Sequence, residues 1–198
     1  MYHSQNNEAE AVVNYFNGRI GHLLDLGAND GKYCSNSYDL IQSGWSADLF
    51  EPLIGCYDKI KILYFDDPKV TIHHHGIATK TGIVPFYASN GSVINVVDKQ
   101  LLNEWGYKVE YETTASLLTW VDAQAILSSK IFNFITIDCE GLDWDILQQM
   151  NLRELGCECI CIEQGNSPEN CKRMKQYCAS YGLTRELLYN FENVIFAI

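Results

Sequence analysis

The sequence predicts an α/β protein with a doubly wound sheet that is mostly parallel and ends in an antiparallel hairpin. Two observations predict this class. Short apolar runs typical of buried strands alternate with helical segments, an order that gives a parallel sheet with right-handed crossovers. The last two strand-like runs, residues 183–189 and 194–198, are joined by a link of four residues, which allows only an antiparallel pair.

The first half of the chain supplies three of the predicted strands. Asn7 and Glu10 form a plausible capping pair for a helix that runs through Phe16. Gly44 ends the next helix, and Pro68 separates a further helix from the third strand. The predicted segments are strand 22–26, helix 32–42, strand 46–50, helix 53–64 and strand 70–77.

The middle of the chain is less regular, and the regular alternation returns after it. Residues 83–88 and 92–97 flank Asn90-Gly91, a strong hairpin turn, and residues 107–113 alternate weakly, as an edge strand does. The remaining predicted segments are helix 117–127, strand 132–138, helix 142–150, strand 157–162 and helix 168–181.

Length and charge limit the possible classes of protein. The 198 residues suit one domain, 1–198, whose first 21 residues hold the N-terminal helix. The net charge of −11 argues against nucleic acid or anionic membrane as the main partner. No apolar run approaches the roughly 18 residues of a membrane span, and residues 1–10 do not resemble a signal peptide. We expect a soluble cytoplasmic protein.

The eight cysteines do not predict disulfides. Cys157, Cys159 and Cys161 alternate along an apolar strand, so we expect all three on one face of the sheet. A metal or redox site is one interpretation. Buried apolar packing of free thiols is the preferred one, and it fits a reducing compartment.

The most informative segment joins the first strand to the following helix, in the sequence LDLGANDG at residues 24–31. Gly27 and Gly31 have no Cβ and leave room for close approach of a ligand. Asp25 can accept hydrogen bonds, and Glu51 ends the second strand about twenty residues later. This order of strand, glycine turn, helix, strand and acid is typical of sheets that hold the adenosine half of a cofactor.

Four motifs resemble those of the FkbM family of S-adenosylmethionine-dependent methyltransferases, over roughly residues 22–198. DLGANDG resembles the first motif of the family, and LFEP at 49–52 resembles its acid on the second strand. HGIA at 75–78 fits the third strand, and IDCEG at 137–141 resembles the IDVEG signature, the most specific element. One departure is Thr136, where the family usually has Lys.

The resemblance implies a class I methyltransferase fold and S-adenosyl-L-methionine as cofactor. Asp25 would hold the methionyl amino group, and Glu51 both ribose hydroxyls. Ordinary roles remain open: Asp25 as a turn cap, Glu51 as a solvated acid, and the residues beside the adenine as plain core. The implied cofactor residues are Asp25, Gly27, Asn29, Gly31, Glu51, Ile77 and Ala78.

Asp138, at the end of the fourth core strand, is the first candidate for a catalytic base that removes the proton of a hydroxyl acceptor. Glu140 is the second candidate, and His75 and Glu163 lie on the same rim. The alternatives are that an acid here caps the helix near Leu142 and that His75 is structural. Asp138, Glu140 and His75 could also bind a divalent metal, but the sequence does not require one.

The resemblance favours O-methylation of a hydroxyl on a sugar, a glycan or a small metabolite. An NAD-dependent oxidoreductase and a non-catalytic binding domain are the alternatives; the turn lacks the third glycine of GxGxxG. We expect the insert at residues 82–115 to shape the acceptor site. Its aromatic residues Trp105, Tyr107 and Tyr111 could stack on a sugar ring or form a homodimer surface.

Overall fold

The computed structural model describes residues 2–89 and 95–198, which form two sheets and the helices around them. The helices are α1 (Glu8–Phe16), α2 (Tyr38–Gln42), α3 (Ile54–Leu63), α4 (Lys99–Glu104), α5 (Trp120–Ala123), α6 (Asp143–Leu147) and α7 (Pro168–Ser180). The strands are β1 (His22–Leu26), β2 (Ser46–Phe50), β3 (Val70–His73), β4 (Gly76–Ile77), β5 (Gly82–Ser89), β6 (Asn95–Val96), β7 (Val109–Leu118), β8 (Phe134–Ile137), β9 (Cys159–Glu163), β10 (Arg185–Tyr189) and β11 (Asn193–Ala197).

The larger sheet has the strand order β10-β11-β9-β8-β1-β2-β3. Strand β11 runs antiparallel to β9 and β10, and every other neighbouring pair is parallel. This confirms the predicted fold class, a mostly parallel doubly wound sheet with an antiparallel hairpin at the end.

Helices cover both faces of the larger sheet. On β1, Leu24 packs in a core that includes side chains of α6 and α7, and Leu23 packs in a second core with side chains of α1, α2 and α3. Strands buried on both faces read as continuous apolar runs. That is why the bounds predicted for β1 and β2 match the observed ones.

The second sheet, in the order β4-β7-β5-β6, differs from the prediction. The predicted strand 70–77 is two strands: β3 joins the larger sheet, and β4 pairs with β7. The predicted edge strand 107–113 and the start of the predicted helix 117–127 form β7, an interior strand between β4 and β5. Long antiparallel pairing with β5 satisfies the backbone of β7 and overrides the weak helical pattern. The predicted Asn90-Gly91 turn lies outside the described residues.

Helix α2 begins at Tyr38, six residues later than predicted. The Asp30 carboxylate accepts hydrogen bonds from the backbone N–H groups of Lys32 and Tyr33, at 3.0 and 2.8 Å. Such local side-chain bonds compete with a helical turn. The segment between Asp30 and α2 is therefore a loop.

The start of α1 was predicted correctly, but its cap was not. Asn7 has a left-handed backbone and makes no capping bond through its side chain. The Ser4 hydroxyl instead accepts a hydrogen bond from the Ala9 N–H at 2.9 Å. The cap comes from the extended segment ahead of the helix.

The cysteines are all free thiols. Cys159 and Cys161 share a core, but Cys157 precedes β9 and packs in the core on the other side of the sheet. The expectation of three thiols on one face is wrong, because alternation holds only within the strand. Among the described residues, no helix has the length and apolar character that crossing a bilayer requires.

A buried polar cluster connects β1, β2 and β3. The Asp48 carboxylate lies 2.8 Å from Nε2 of His22 and 2.6 Å from Nε2 of His73, and it accepts the Ser128 hydroxyl hydrogen at 2.6 Å. Burial alone would raise the pKa of Asp48, but these hydrogen bonds hold it below its ordinary value. The cluster is part of the structural core, on strands that also carry the candidate site.

Candidate functional site

A cavity of about 310 Å³ lies at the carboxyl edge of the larger sheet. Parallel strands that end at this edge each deliver an acid to it: Asp25 from β1, Glu51 after β2, Asp138 after β8 and Glu163 from β9. Its volume is at the lower end of the roughly 300–1,000 Å³ usual for small-molecule sites. The topology thus gathers residues that are far apart in the sequence.

Most of the predicted site residues line this cavity, namely Asp25, Gly27, Asn29, Glu51, Ile77, Asp138 and Glu140. Gly31, Ala78 and His75 are not among the lining residues. Gly31 faces the side chains of α3, Ala78 donates its N–H to the Leu118 carbonyl, and Nδ1 of His75 lies 3.0 Å from the Ser116 hydroxyl.

The structure gives a reason for glycine at position 27 that the sequence does not reveal. With φ at +98°, a Cβ at this position would collide with the carbonyl oxygen of Asp138. The N–H groups of Gly27 and Ala28 both donate to the Phe50 carbonyl, at 3.1 and 3.0 Å. The glycine therefore allows the loops after β1, β2 and β8 to approach each other closely.

Asp25 is almost completely buried, and one of its oxygens accepts a hydrogen bond from the Ser37 hydroxyl at 2.5 Å. Burial raises the pKa of Asp25 to about 6, and the bond from Ser37 opposes the rise. The carboxylate still has lone pairs for a ligand.

Glu51 is held by backbone groups. Its Oε2 accepts from the Asn29 N–H at 2.9 Å, and its Oε1 accepts from the Leu53 N–H at 2.7 Å. Burial raises the pKa of Glu51 to about 8 in spite of these bonds. These two bonds orient the group, and in its ionised form each oxygen keeps a second lone pair that can accept a hydroxyl hydrogen.

The loop after β8 is organised by Asp143, at the start of α6. The Asp143 carboxylate accepts the N–H groups of Cys139 and Gly141, at 2.7 and 3.1 Å. Asp138 and Glu140 are thereby left to face the cavity. Burial, together with the charge of Asp143, raises the pKa of Asp138 to about 7, and burial beside Asp138 raises that of Glu140 to about 9.

Several solved structures that resemble this fold are methyltransferases. An FkbM methyltransferase from Methylobacillus flagellatus KT matches with a TM-score of 0.59 and 13% identity, covering 91% of this chain and 44% of that one. The methyltransferase domain of METTL16 matches with a TM-score of 0.54 and 11% identity, covering 96% of this chain and 63% of that one. Another METTL16 structure is a complex with a MAT2A 3′UTR hairpin. No curated protein matches the chain.

The family model of the FkbM methyltransferase domain matches residues 25–189, which is most of the chain. The chain belongs to the FkbM methyltransferase family. It spans 44% of the Methylobacillus flagellatus protein and 63% of the METTL16 methyltransferase domain. The FkbM family resemblance seen in the sequence is confirmed.

This FkbM domain has Thr136 where the family usually has Lys. Thr136 pairs in register with Asp25, lines the cavity and accepts a hydrogen bond from Nδ2 of Asn36 at 3.3 Å. Among the described residues, no Lys, Arg or His lines this cavity. Asp25 therefore has no cation beside it in the cavity, which agrees with its raised pKa.

The cavity of the FkbM domain is also lined by residues that the sequence did not predict. Gln5 and Glu192 line the cavity from the segment before α1 and from the loop before β11. Both oxygens of Glu192 accept amide hydrogens, from Gln5 at 3.0 Å and from Asn6 at 2.8 Å. No local motif predicts this wall, because it forms only when the two ends of the chain meet.

Proposed function

We propose that this FkbM domain transfers a methyl group from S-adenosyl-L-methionine to a hydroxyl of a sugar, a glycan or a small metabolite. The observation that carries the proposal is the acid-lined cavity at the ends of β1, β2 and β8, where Asp25, Glu51 and Asp138 meet. Family membership supports methyl transfer in general. The hydroxyl acceptor is an inference from the acids around the cavity.

The residues present fit this cofactor on electrostatic grounds. S-adenosylmethionine carries two positive groups, a sulfonium and an ammonium, and one carboxylate, so its net charge is positive. A cavity lined by acids, with no cationic side chain among the described lining residues, attracts it. Asp25 would hold the amino group, and Glu51 the ribose hydroxyls. Asn29 and Gly27 would border it from the loop after β1, and Ile77 would pack against the adenine. When bound, the cofactor supplies an electrophilic methyl group.

Asp138 is placed to act as the base. Its backbone N–H donates to the Leu26 carbonyl at 2.9 Å, which fixes the start of the loop at the end of β8. A base is most effective when its pKa is near the working pH, and the pKa of Asp138 is about 7. It would take the proton from the acceptor hydroxyl as that oxygen attacks.

Glu140 suits a different role. With a pKa of about 9 it is protonated at neutral pH, so it can donate a hydrogen bond but cannot take a proton. We assign it to orienting the acceptor oxygen. His75 stays a prediction as a base; its contact with Ser116 lies outside the cavity lining.

The insert at residues 82–115 supplies the wall on the acceptor side. Phe86 and Tyr107 contribute to the lining, and so does Val97, which follows β6. These are apolar and aromatic surfaces that suit the ring of a small acceptor. A compact acceptor also agrees with the net charge of −11, which disfavours a polyanionic nucleic acid.

Two alternatives are weaker. The antiparallel β11 and the family match disfavour an NAD-dependent oxidoreductase. A non-catalytic domain that only binds the cofactor would use Asp25 and Glu51 but would have no need of Asp138, whose buried carboxyl group disfavours folding when ionised.

The test is methyl transfer from labelled S-adenosylmethionine to a panel of sugars and hydroxylated metabolites. Asp138→Asn should lower the rate by about 100-fold or more and leave the affinity for S-adenosylhomocysteine within a factor of about three. Asp145→Asn removes an exposed acid on α6 and is the matched control. Unchanged transfer in Asp138→Asn would remove Asp138 from its role, and S-adenosylhomocysteine binding without any transfer would favour the non-catalytic domain.

A further inference from the structure

A second, smaller cavity of about 50 Å³ adjoins the first, and Glu163 lines both. Two tryptophans form part of its lining: Trp144 on α6, and Trp105, which follows α4 and is 42% exposed. Its remaining lining residues are Gly141, Asp143, Gln164, Gly165, Asn170, Arg173 and Met174.

Arg173 is the distinctive member of this lining. It is the one cationic side chain among the described residues that line either cavity. Its guanidinium lies over the Trp144 ring, with Cζ 4.7 Å from the ring centroid. Its Nε is buried and has no hydrogen-bond partner within the described part of the chain. A buried donor on a charged group without a partner calls for an explanation, and beside a cavity a bound anion is one.

The polar neighbours of Arg173 are already engaged with other groups. The Asp143 carboxylate accepts two backbone N–H groups, at 2.7 and 3.1 Å. The Gln164 amide donates to the carbonyls of Asn190 and Phe191. Within the described residues, Arg173 makes no ion pair. The guanidinium is left free for an external group.

We propose that Arg173 and Trp144 form an oxyanion subsite that holds a carboxylate or phosphate carried by the acceptor. Arginine binds both groups through two parallel hydrogen bonds. At about 50 Å³ the cavity has room for a few non-hydrogen atoms, so it fits an anionic substituent and not a whole sugar ring. The ring of the acceptor would lie in the main cavity, across Glu163. The assignment of this ligand to the acceptor rests on the proposed function.

The test uses the tryptophans of the subsite as reporters. Trp45 and Trp120 are buried elsewhere, so a change in fluorescence on ligand binding reports on Trp105 and Trp144. D-glucuronate, D-glucose 6-phosphate and neutral D-glucose are titrated at constant ionic strength, with S-adenosylhomocysteine present. We expect saturable changes with an anionic sugar and none with glucose. The anion that saturates at the lower concentration identifies the group as carboxylate or phosphate.

Variants decide whether Arg173 is responsible. Arg173→Gln should weaken binding of the anionic sugar by at least tenfold. Arg173→Lys keeps the charge but cannot form the two parallel hydrogen bonds of a guanidinium, so it should lose an intermediate amount of affinity. Lys172→Gln, an exposed neighbour on α7, is the matched control. Equal binding of glucose, undiminished binding in Arg173→Gln, or no binding of either anion would each overturn the proposal.

A calorimetric titration with S-adenosylhomocysteine separates this inference from the proposed function. Its affinity should be the same in the wild type and in Arg173→Gln. Anion binding that depends on Arg173, without any cofactor binding, would retain the subsite and refute the methyl-transfer proposal. Cofactor binding together with methyl transfer only to neutral acceptors would retain the methyl-transfer proposal and refute the subsite.

Discussion

Replacing the buried acid Asp25 with asparagine should stabilise the ligand-free protein at alkaline pH while it weakens cofactor binding. The pKa of Asp25 rises from 3.8 to about 6 on folding, and burial is the main cause. A raised pKa means that the stabilising contribution is complete below the unfolded value and is lost as the pH rises through the folded one. At pH 8 the native protein therefore holds a carboxylate that would be more stable in the unfolded chain.

The magnitude follows from the shift. A rise of about two pKa units, at about 1.4 kcal/mol each, corresponds to roughly 3 kcal/mol at full ionisation. The amide oxygen of the substituted side chain can still accept the Ser37 hydroxyl hydrogen, so the folded geometry survives. For a domain of this size, about 3 kcal/mol raises the melting temperature by about 5–10 °C. At pH 4 the carboxyl is protonated and the gain should vanish.

The assay is thermal unfolding of the wild type and Asp25→Asn at pH 4 and pH 8, without ligand. Asp66→Asn, at an exposed acid after α3, is the control and should change little at either pH. Calorimetry at pH 8 should show weaker S-adenosylhomocysteine binding in Asp25→Asn. A variant that is less stable than the wild type at pH 8 would refute the reasoning, because the charge of Asp25 would then be stabilised in the fold.

Three further substitutions test the rest of the site and its support. Gly27→Ala should lower the free energy of unfolding, measured in urea, by more than about 2 kcal/mol, because it adds backbone strain and a collision with the carbonyl oxygen of Asp138. Gly18→Ala is the control: Gly18 also has a positive φ but has nothing within 4 Å, so this variant should show the strain alone. Asp48→Asn should destabilise by about 3–5 kcal/mol, because it breaks a buried cluster in which one carboxylate is shared by His22, His73 and Ser128. The difference from wild type should shrink progressively below about pH 4, because the unfolded chain then takes up a proton on Asp48 that the folded protein, with its lowered pKa, does not; an equal difference at all pH values would contradict this. Glu51→Ala should weaken S-adenosylhomocysteine binding by more than about 1 kcal/mol in calorimetry, and unchanged affinity would remove Glu51 from the ribose site.

The core strands could be predicted from the sequence because burial on both faces leaves an unambiguous apolar signal. Strands β1 and β2 and the acids that follow them were found in this way. In the second sheet, the antiparallel pair of β5 and β6 was predicted, but the place of β7 was not, because β7 alternates weakly and its pairing with β5 is set by tertiary contacts. Long-range packing of this kind has no local signature.

Some residues of the candidate site could likewise be predicted from the sequence, and others could not. Asp25, Glu51 and Asp138 end buried parallel strands, so sheet topology predicts that they meet. His75 does not line the cavity, because the chain leaves the larger sheet after His73 and simple alternation does not hold beyond it; its role as a base stays a prediction. Gln5 and Arg173 had no signal at all. Their positions depend on segments that the fold brings to the cavities from distant parts of the chain.

The central claim is that the acid-lined cavity binds S-adenosylmethionine, and thermal unfolding with ligand tests it most directly. At about 100 times the dissociation constant, binding adds roughly 2.7 kcal/mol, which raises the melting temperature by about 5–10 °C. We predict such a shift with S-adenosylmethionine and S-adenosylhomocysteine, and none with NAD. A shift with NAD alone, or with none of the three, would contradict the account.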